Sequence, residues 1–222
     1  MVTVLGIYGS PRRGGNTDLL LDEFLKGASS AGAAIEKLYI TDLKIAPCAS
    51  KENCLKTGDC IIKDDMDAIY TKLLEADMIV LAAPIYFYNL PAQTKALVDR
   101  CQALWARKYI LKKPHPIERN GIIGRQSRFT GILPPIVGCN PAAGGNNQTK
   151  HKGFFISVGG TKGANLFEGT ILTVKYFFDA LGVAYSGDLL YRSMGKKDAI
   201  KQHPTALKEA FDKGKEWLNN KN

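Results

Sequence analysis

Nine residues near the N-terminus, Gly9-Ser10-Pro11-Arg12-Arg13-Gly14-Gly15-Asn16-Thr17, concentrate groups that hold an anion. Ser10 and Thr17 carry hydroxyls, Asn16 an amide, and Arg12 a guanidinium whose fork matches phosphate oxygens. The glycines let a ligand approach the backbone closely. The apolar run at 2–8 precedes this stretch and reads as a buried strand. Residues 18–26 follow it with helical spacing and acids in the first turns. A strand, a small-residue loop and a helix start present unpaired N–H groups and the positive end of a helix dipole. An ordinary capped turn has the same outline, but the density of donors favours a site for a terminal phosphate. Neither GxxxxGK(S/T) nor GxGxxG follows this strand, which disfavours a P-loop nucleotidase and a dinucleotide fingerprint.

Two more loops are unusual in the same way. Pro84-Ile85-Tyr86-Phe87-Tyr88-Asn89-Leu90-Pro91 combines three aromatics with an amide, and Val158-Gly159-Gly160-Thr161 offers bare backbone. The aromatic loop is either a hydrophobic turn tucked into the core or a stacking and enclosing surface for a flat ring. A phosphate at the first loop and a planar heterocycle between the others describe flavin mononucleotide (FMN).

Positioning these loops requires a particular sheet. Strands are expected at about 2–8, 34–40, 76–83, 153–158 and 183–191, and helices at 16–31, 64–75, 91–105, 169–181 and 205–219. Alternating β and α elements with continuous apolar strands predict a parallel sheet covered on both faces. In such sheets ligands bind at the carboxyl ends of strands, which is where the loops after strands one, three and four lie. The expected organisation is one domain over 1–222, with an irregular insertion at about 107–152.

The 222 residues carry a formal charge of +9, and 107–152 supplies +8 of it. A basic insertion on a nearly neutral body points to one localised contact: an oligomer contact or lid beside the cofactor, or a patch that steers an anionic partner. Nucleic acid ranks last, because no recognised binding module accompanies the charge. No apolar run approaches the ~20 residues of a spanning helix, no leader is evident, and a cytoplasmic protein is expected. Five cysteines, an odd number, argue against a disulfide framework. His115, His151 and His203 lack ligand spacing and are expected at the surface.

The first and second loops, with Ala92 and Lys95 following the latter, resemble the NAD(P)H-dependent FMN reductases. The resemblance implies a flavodoxin-like three-layer α/β sandwich with a five-stranded parallel sheet in the order 2-1-3-4-5. It also implies that Ser10, Arg12, Asn16 and Thr17 hold the FMN phosphate. Pro84, Ile85, Tyr86, Phe87 and Asn89 would flank the isoalloxazine, and Val158, Gly159 and Gly160 would close its other side. Backbone N–H groups near 86–89 and 159–160 are expected to stabilise the reduced ring, with no side chain acting as nucleophile. Reduced nicotinamide is the implied electron donor, a quinone, flavin, azo or nitro compound the acceptor, and a homodimer or homotetramer the assembly.

The region 48–65 is similar to the iron–sulfur flavoprotein branch of that family, whose pattern there is C-x2-C-x2-C-xn-C. Cys48, Cys54 and Cys60 fall in phase as metal ligands, but Lys51 occupies the second position. Replacing a thiolate with an ammonium weighs against a four-thiolate cluster. A lapsed cluster loop, a three-ligand cluster and a redox-active thiol pair stay open, and Cys101 or Cys139 could complete a set. The alternative function is accordingly an electron carrier fed by a protein partner. A flavin-binding or nucleic-acid-associated protein without turnover is the third.

Overall fold

The computed structural model describes residues 1–113 and 151–219. Five parallel strands, β1 (Thr3–Tyr8), β2 (Ala34–Tyr39), β3 (Met78–Ala82), β4 (Lys152–Val158) and β5 (Ala184–Tyr191), form one sheet in the order β2-β1-β3-β4-β5. Both the parallel arrangement and the strand order match the expectation. Pairing is in continuous register from Thr3 opposite Ala34 to Tyr8 opposite Tyr39, and from Val4 opposite Met78 to Tyr8 opposite Ala82. A shift between Gly153 and Phe155 interrupts the β4–β5 ladder.

Alternate strand residues face opposite layers, as the period of two requires. Leu5, Ile7, Ile79, Leu81 and Phe155 belong to one buried cluster, under α3 (Met66–Glu75), α4 (Ala92–Arg100), α5 (Gln102–Trp105) and α6 (Glu168–Ala180). Val4, Tyr8, Val80, Phe154 and Ile156 belong to the other, under α1 (Asn16–Ser30) and α7 (Ala206–Asn219). In that second layer Phe24, Phe154 and Trp217 meet with ring centroids 4.9–5.7 Å apart, and the Trp217 indole N–H donates to Ser186 Oγ at 2.7 Å. Offset and edge-on aromatic contacts of this kind add to plain area burial.

The helix expected over 91–105 is two helices, with Cys101 between them. The Cys101 N–H bonds to Val98 O at 3.0 Å and Leu104 N–H to Cys101 O at 2.9 Å, three-residue closures that tighten the chain there. A π-helical turn, Ala106–Ile110, follows. A short α2 (Asn53–Thr57) lies inside the cysteine loop, which reads as irregular in sequence. Among the described residues no helix is long and apolar enough to cross a membrane. Of the basic insertion, residues 114–150 lie outside the described residues, and with them His115 and Cys139.

Candidate functional site

Three loops converge at the carboxyl ends of β1, β3 and β4. The first leaves β1 under tight control: the Gly9 N–H donates to Ala82 O at 2.7 Å, and Thr94 Oγ1 donates to Gly9 O at 2.6 Å. Ser10 Oγ accepts the Arg12 N–H and donates to Arg12 O, and the Gly15 N–H closes on the same carbonyl. Gly14 takes φ +63°, a left-handed turn that glycine enters without steric cost. Gly15 is the N-cap of α1, and no side chain caps that helix. The N–H groups of Asn16, Thr17 and Asp18 therefore have no intrahelical partner.

The expected ligands divide into two groups. Arg12 is exposed and in no ion pair among the described residues, whereas Arg13 pairs with Asp42 and lies over the Tyr39 ring at 3.7 Å. The Thr17 hydroxyl makes no hydrogen bond among the described residues, so Arg12, Thr17 and the helix N–H groups remain for an anion. Ser10 and Asn16 are also bonded within the chain. The Asn16 amide donates to Met194 O and Lys196 O, both at 2.8 Å, and its oxygen accepts the Ile200 N–H at 3.3 Å. It thereby binds the 193–200 segment to the Gly9–Thr17 loop, a role that no local sequence signal reveals.

The second loop is not tucked into the core. Tyr86 and Asn89 exchange backbone hydrogen bonds at 2.9 and 3.0 Å around Phe87 (φ +48°) and Tyr88 (φ +61°), and all three aromatics are exposed. Two bulky residues in left-handed conformation are held because both ends are fastened. The Ile85 N–H donates to Val158 O, Thr170 Oγ1 to Tyr88 O, and the Leu90 N–H to Asn89 Oδ1. Pro84 and Ile85 are half-buried beneath the turn.

The third loop brings bare backbone alongside. A Cβ on Gly159 would stand 2.3 Å from Leu166 Cδ2, and one on Gly195 would stand 3.2 Å from Gly160 Cα. The Gly159 N–H is committed to Tyr191 O. The expected ring donors narrow accordingly: the N–H groups of Tyr86, Asn89 and Gly159 are occupied within the chain, leaving those of Phe87, Tyr88 and Gly160.

Asp18 is an unexpected member of the site. Only 3% exposed, it accepts the Gly14 N–H at Oδ2 (2.9 Å), while its enclosed Oδ1 has no partner among the described residues. Burial pushes its carboxyl up to about 6, the Gly14 N–H and Arg13 pulling back and Asp22 adding to the rise. The sequence signal for it is an acid at the third helical position, the place from which a side chain reaches back to the helix entry.

The cysteine loop is organised by Arg100. This residue, 1% exposed, forks onto both oxygens of Asp64 (2.6 and 3.1 Å) and donates to Ala46 O and Ile62 O. Burial alone would raise the Asp64 carboxyl, but Arg100 and the N–H groups of Ala46 and Met66 outweigh it and hold it below the usual carboxylate range. Cys48, Cys54, Cys60 and Lys51 line one cavity of about 420 Å³. Burial raises the Cys54 thiol, and Cys60 and Cys48 add to the rise. Among the described residues no three metal-ligating side chains are gathered for an ion, and three thiols with an ammonium do not supply a four-thiolate cluster. Cys101 lies buried in the core cluster against which Cys54 and Cys60 pack. His203 is not a bare surface residue: its Nδ1 accepts the N–H groups of Thr205 and Ala206 and so caps α7.

The strand order, with its three converging loops, defines a flavodoxin-like α/β protein. Within that class the chain belongs to the NADPH-dependent FMN reductase family, whose sequence model matches residues 2–127. It is 40% identical over 109 residues to an iron–sulfur flavoprotein of Methanosarcina thermophila, an alignment covering 49% of this chain and 57% of the relative. An iron–sulfur flavoprotein of Archaeoglobus fulgidus is 41% identical over 141 residues, covering 59% and 64%. The chain thus spans less than two thirds of the length of these curated relatives. In fold it is similar to an NAD(P)H:quinone oxidoreductase from Methanothermobacter marburgensis (TM-score 0.62, 15% identity, covering 97% of this chain and 98% of that one). It is also similar to an FMN-dependent NADH-azoreductase from Bacillus anthracis in complex with FMN (TM-score 0.59, 14% identity, covering 99% and 100%).

Proposed function

We propose that this chain binds FMN and passes electrons from reduced nicotinamide to a quinone, flavin, azo or nitro acceptor. The observation that carries the reading is the uncapped start of α1, where the Arg12 and Thr17 side chains have no hydrogen-bond or ion-pair partner among the described residues, beside an exposed turn of three aromatics. The residues suit the cofactor: Arg12, Thr17 and the first α1 N–H groups would hold its phosphate, and Tyr86–Asn89 with Val158–Gly160 would flank its ring. When bound, FMN supplies reversible hydride acceptance and one- or two-electron transfer. The chain's part is to anchor, orient and enclose. The fastened turn holds Tyr86, Phe87 and Tyr88 as one wall, and Gly160 and Gly195 pack backbone to backbone, so that neither puts a side chain into the third loop. The N–H groups of Phe87, Tyr88 and Gly160 are the backbone donors left to face negative charge on the ring.

The purified protein should show flavin absorption and bleach anaerobically with NADPH or NADH. Replacing Arg12 with Ala removes a charge-assisted contact of about 1.5–3 kcal/mol, so FMN affinity should fall roughly 10- to 100-fold while riboflavin affinity holds. Equal loss for both ligands would contradict the phosphate assignment.

A second reading is an electron carrier fed by a protein partner. The shared cavity of Cys48, Cys54 and Cys60 supports it, as do relatives named iron–sulfur flavoproteins. Iron and acid-labile sulfide after anaerobic reconstitution, absent in the native chain and present in Lys51→Cys, would mark a cluster loop that has lost one ligand. Assembly as a homodimer or homotetramer belongs to the proposal too; exposed Leu172 and Tyr176 on α6 support it, and light scattering tests it.

A further inference from the structure

The start of α1 holds an anion of its own. Asp18 sits in the first turn, almost wholly buried, with one oxygen on the Gly14 N–H and the other enclosed without a partner. A carboxylate ordinarily accepts several hydrogen bonds, so this one is poorly compensated for leaving water. It persists because the positive end of α1 and its unpaired N–H groups favour a negative charge there. A docking phosphate uses the same helix end. Two anions then face one cradle.

We propose that Asp18 takes up a proton as the phosphate of FMN settles on the Gly9–Thr17 loop, so that cofactor capture weakens as pH rises. The inference rests on reading that loop as the phosphate site. The step is a simple protonation: the carboxylate becomes a carboxylic acid, and the hydrogen ion comes from solvent. Oδ2 keeps the Gly14 N–H, which preserves the loop, and the acid no longer repels the incoming phosphate.

No nearby charge can take over this task. On the loop, Arg13 is engaged with Asp42 and the Tyr39 ring, and Arg12 points to solvent, available to the phosphate. On α1, Asp22 accepts from the Tyr8 hydroxyl and from Lys37. On the segment tied down by Asn16 stand Lys196, Lys197, Asp198 and Lys201, of which Lys201 pairs with Asp198. None of these cations forms an ion pair with Asp18. Its carboxyl is already raised to about 6 in the free chain, so at pH 7.5 it is almost fully ionised and has close to one proton to gain.

The test is isothermal calorimetry of the apo-protein with FMN and with riboflavin at about pH 7.5, in two buffers of different ionisation enthalpy. Dissociation constants over about pH 5–8.5 for the native chain and Asp18→Asn complete it. Asn keeps an oxygen for the Gly14 N–H, so the loop is retained, and a thermal melt checks the fold. At this pH the FMN phosphate, with a second pKa near 6, is nearly all dianionic, and its own titration is common to both proteins. The native chain should take up close to one proton with FMN and none with riboflavin. Relative to D18N its Kd should climb by up to about tenfold per pH unit above pH 6.5. Superimposable pH profiles and equal proton counts in the two proteins would overturn the proposal. Should D18N not fold, the two-buffer calorimetry on the native chain decides, and zero uptake with FMN overturns it. Equal affinity of the native chain for FMN and riboflavin would instead remove the phosphate site itself.

Discussion

At the scale of single residues, Asp18 also carries a cost in the empty protein. Its carboxyl is raised from 3.8 to about 6 on folding, first by burial, so the folded state prefers the neutral acid. The sign follows from linkage: the favourable protonation is complete below the unfolded value and is lost as pH rises through the folded one. Asp18→Asn removes the charge and should stabilise the apo-protein by about 1–3 kcal/mol at pH 7.5, with the gain vanishing near pH 4. Urea unfolding at the two pH values measures it; a gain of the same size at both would mean that packing, not ionisation, is responsible. That Arg12 and Thr17 present donors beside a helix start follows from residue type alone and needs no tertiary information. The internal bonds of Asn16 do not. Asn16 finds its partners 178 to 184 residues away, and a hydrogen bond across that separation leaves no local trace.

At the scale of elements, the aromatic turn and the cysteine loop are each held by something the linear chain hides. Tyr88 occupies a left-handed conformation that a bulky residue adopts at roughly 1–2 kcal/mol, while its ring stays exposed and gains little from burial. Tyr88→Gly should therefore raise stability by about 0.5–1 kcal/mol and weaken FMN binding, since the turn loses one wall of the ring site. Parallel melts and flavin titrations check both halves, and lower stability with unchanged affinity would contradict the idea of strain held for binding. In the cysteine loop, the aspartates at 64, 65 and 67 read as a helix start, and α3 does begin there. Asp64 accepts the Met66 N–H at that start and also pairs with Arg100, which no periodicity foretells. Arg100→Lys removes the fork, takes donors from Ala46 O and Ile62 O and leaves Asp64 with its backbone N–H partners, Ala46 and Met66, as its remaining hydrogen bonds, at about 2–4 kcal/mol. The Asp64 carboxyl is depressed in the native fold, so its stabilisation is present above the ordinary carboxylate range and lost as pH falls through the folded value. The variant should lose that acid-side slope, and hydrogen exchange should quicken over residues 46–64.

At the scale of the whole molecule, the sheet order and both layers were readable because continuous apolar strands allow few alternatives. What the pattern did not disclose is how closely the second layer is joined. A Cβ on Gly27 of α1 would stand 2.0 Å from Phe211 O of α7, and a Cβ on Gly214 of α7 would stand 2.0 Å from Phe24 O of α1. The two helices touch backbone to backbone, each through the other's glycine. In a solvent-facing helix Gly→Ala gains about 1 kcal/mol from propensity. Here the methyl group has only main chain to push against, so the helices must part and the Phe24–Trp217 contact must loosen with them. Gly27→Ala should cost about 2–4 kcal/mol, the range for disrupted core packing. Because α1 begins at the loop proposed to hold the FMN phosphate, its displacement should also weaken FMN binding, although Gly27 lies more than two turns from Thr17. Chemical denaturation and FMN titration of the same preparation separate the two effects. A variant as stable as the native chain would mean that the α1–α7 seam yields freely, and one destabilised with native FMN affinity would mean that the seam does not set the position of the loop.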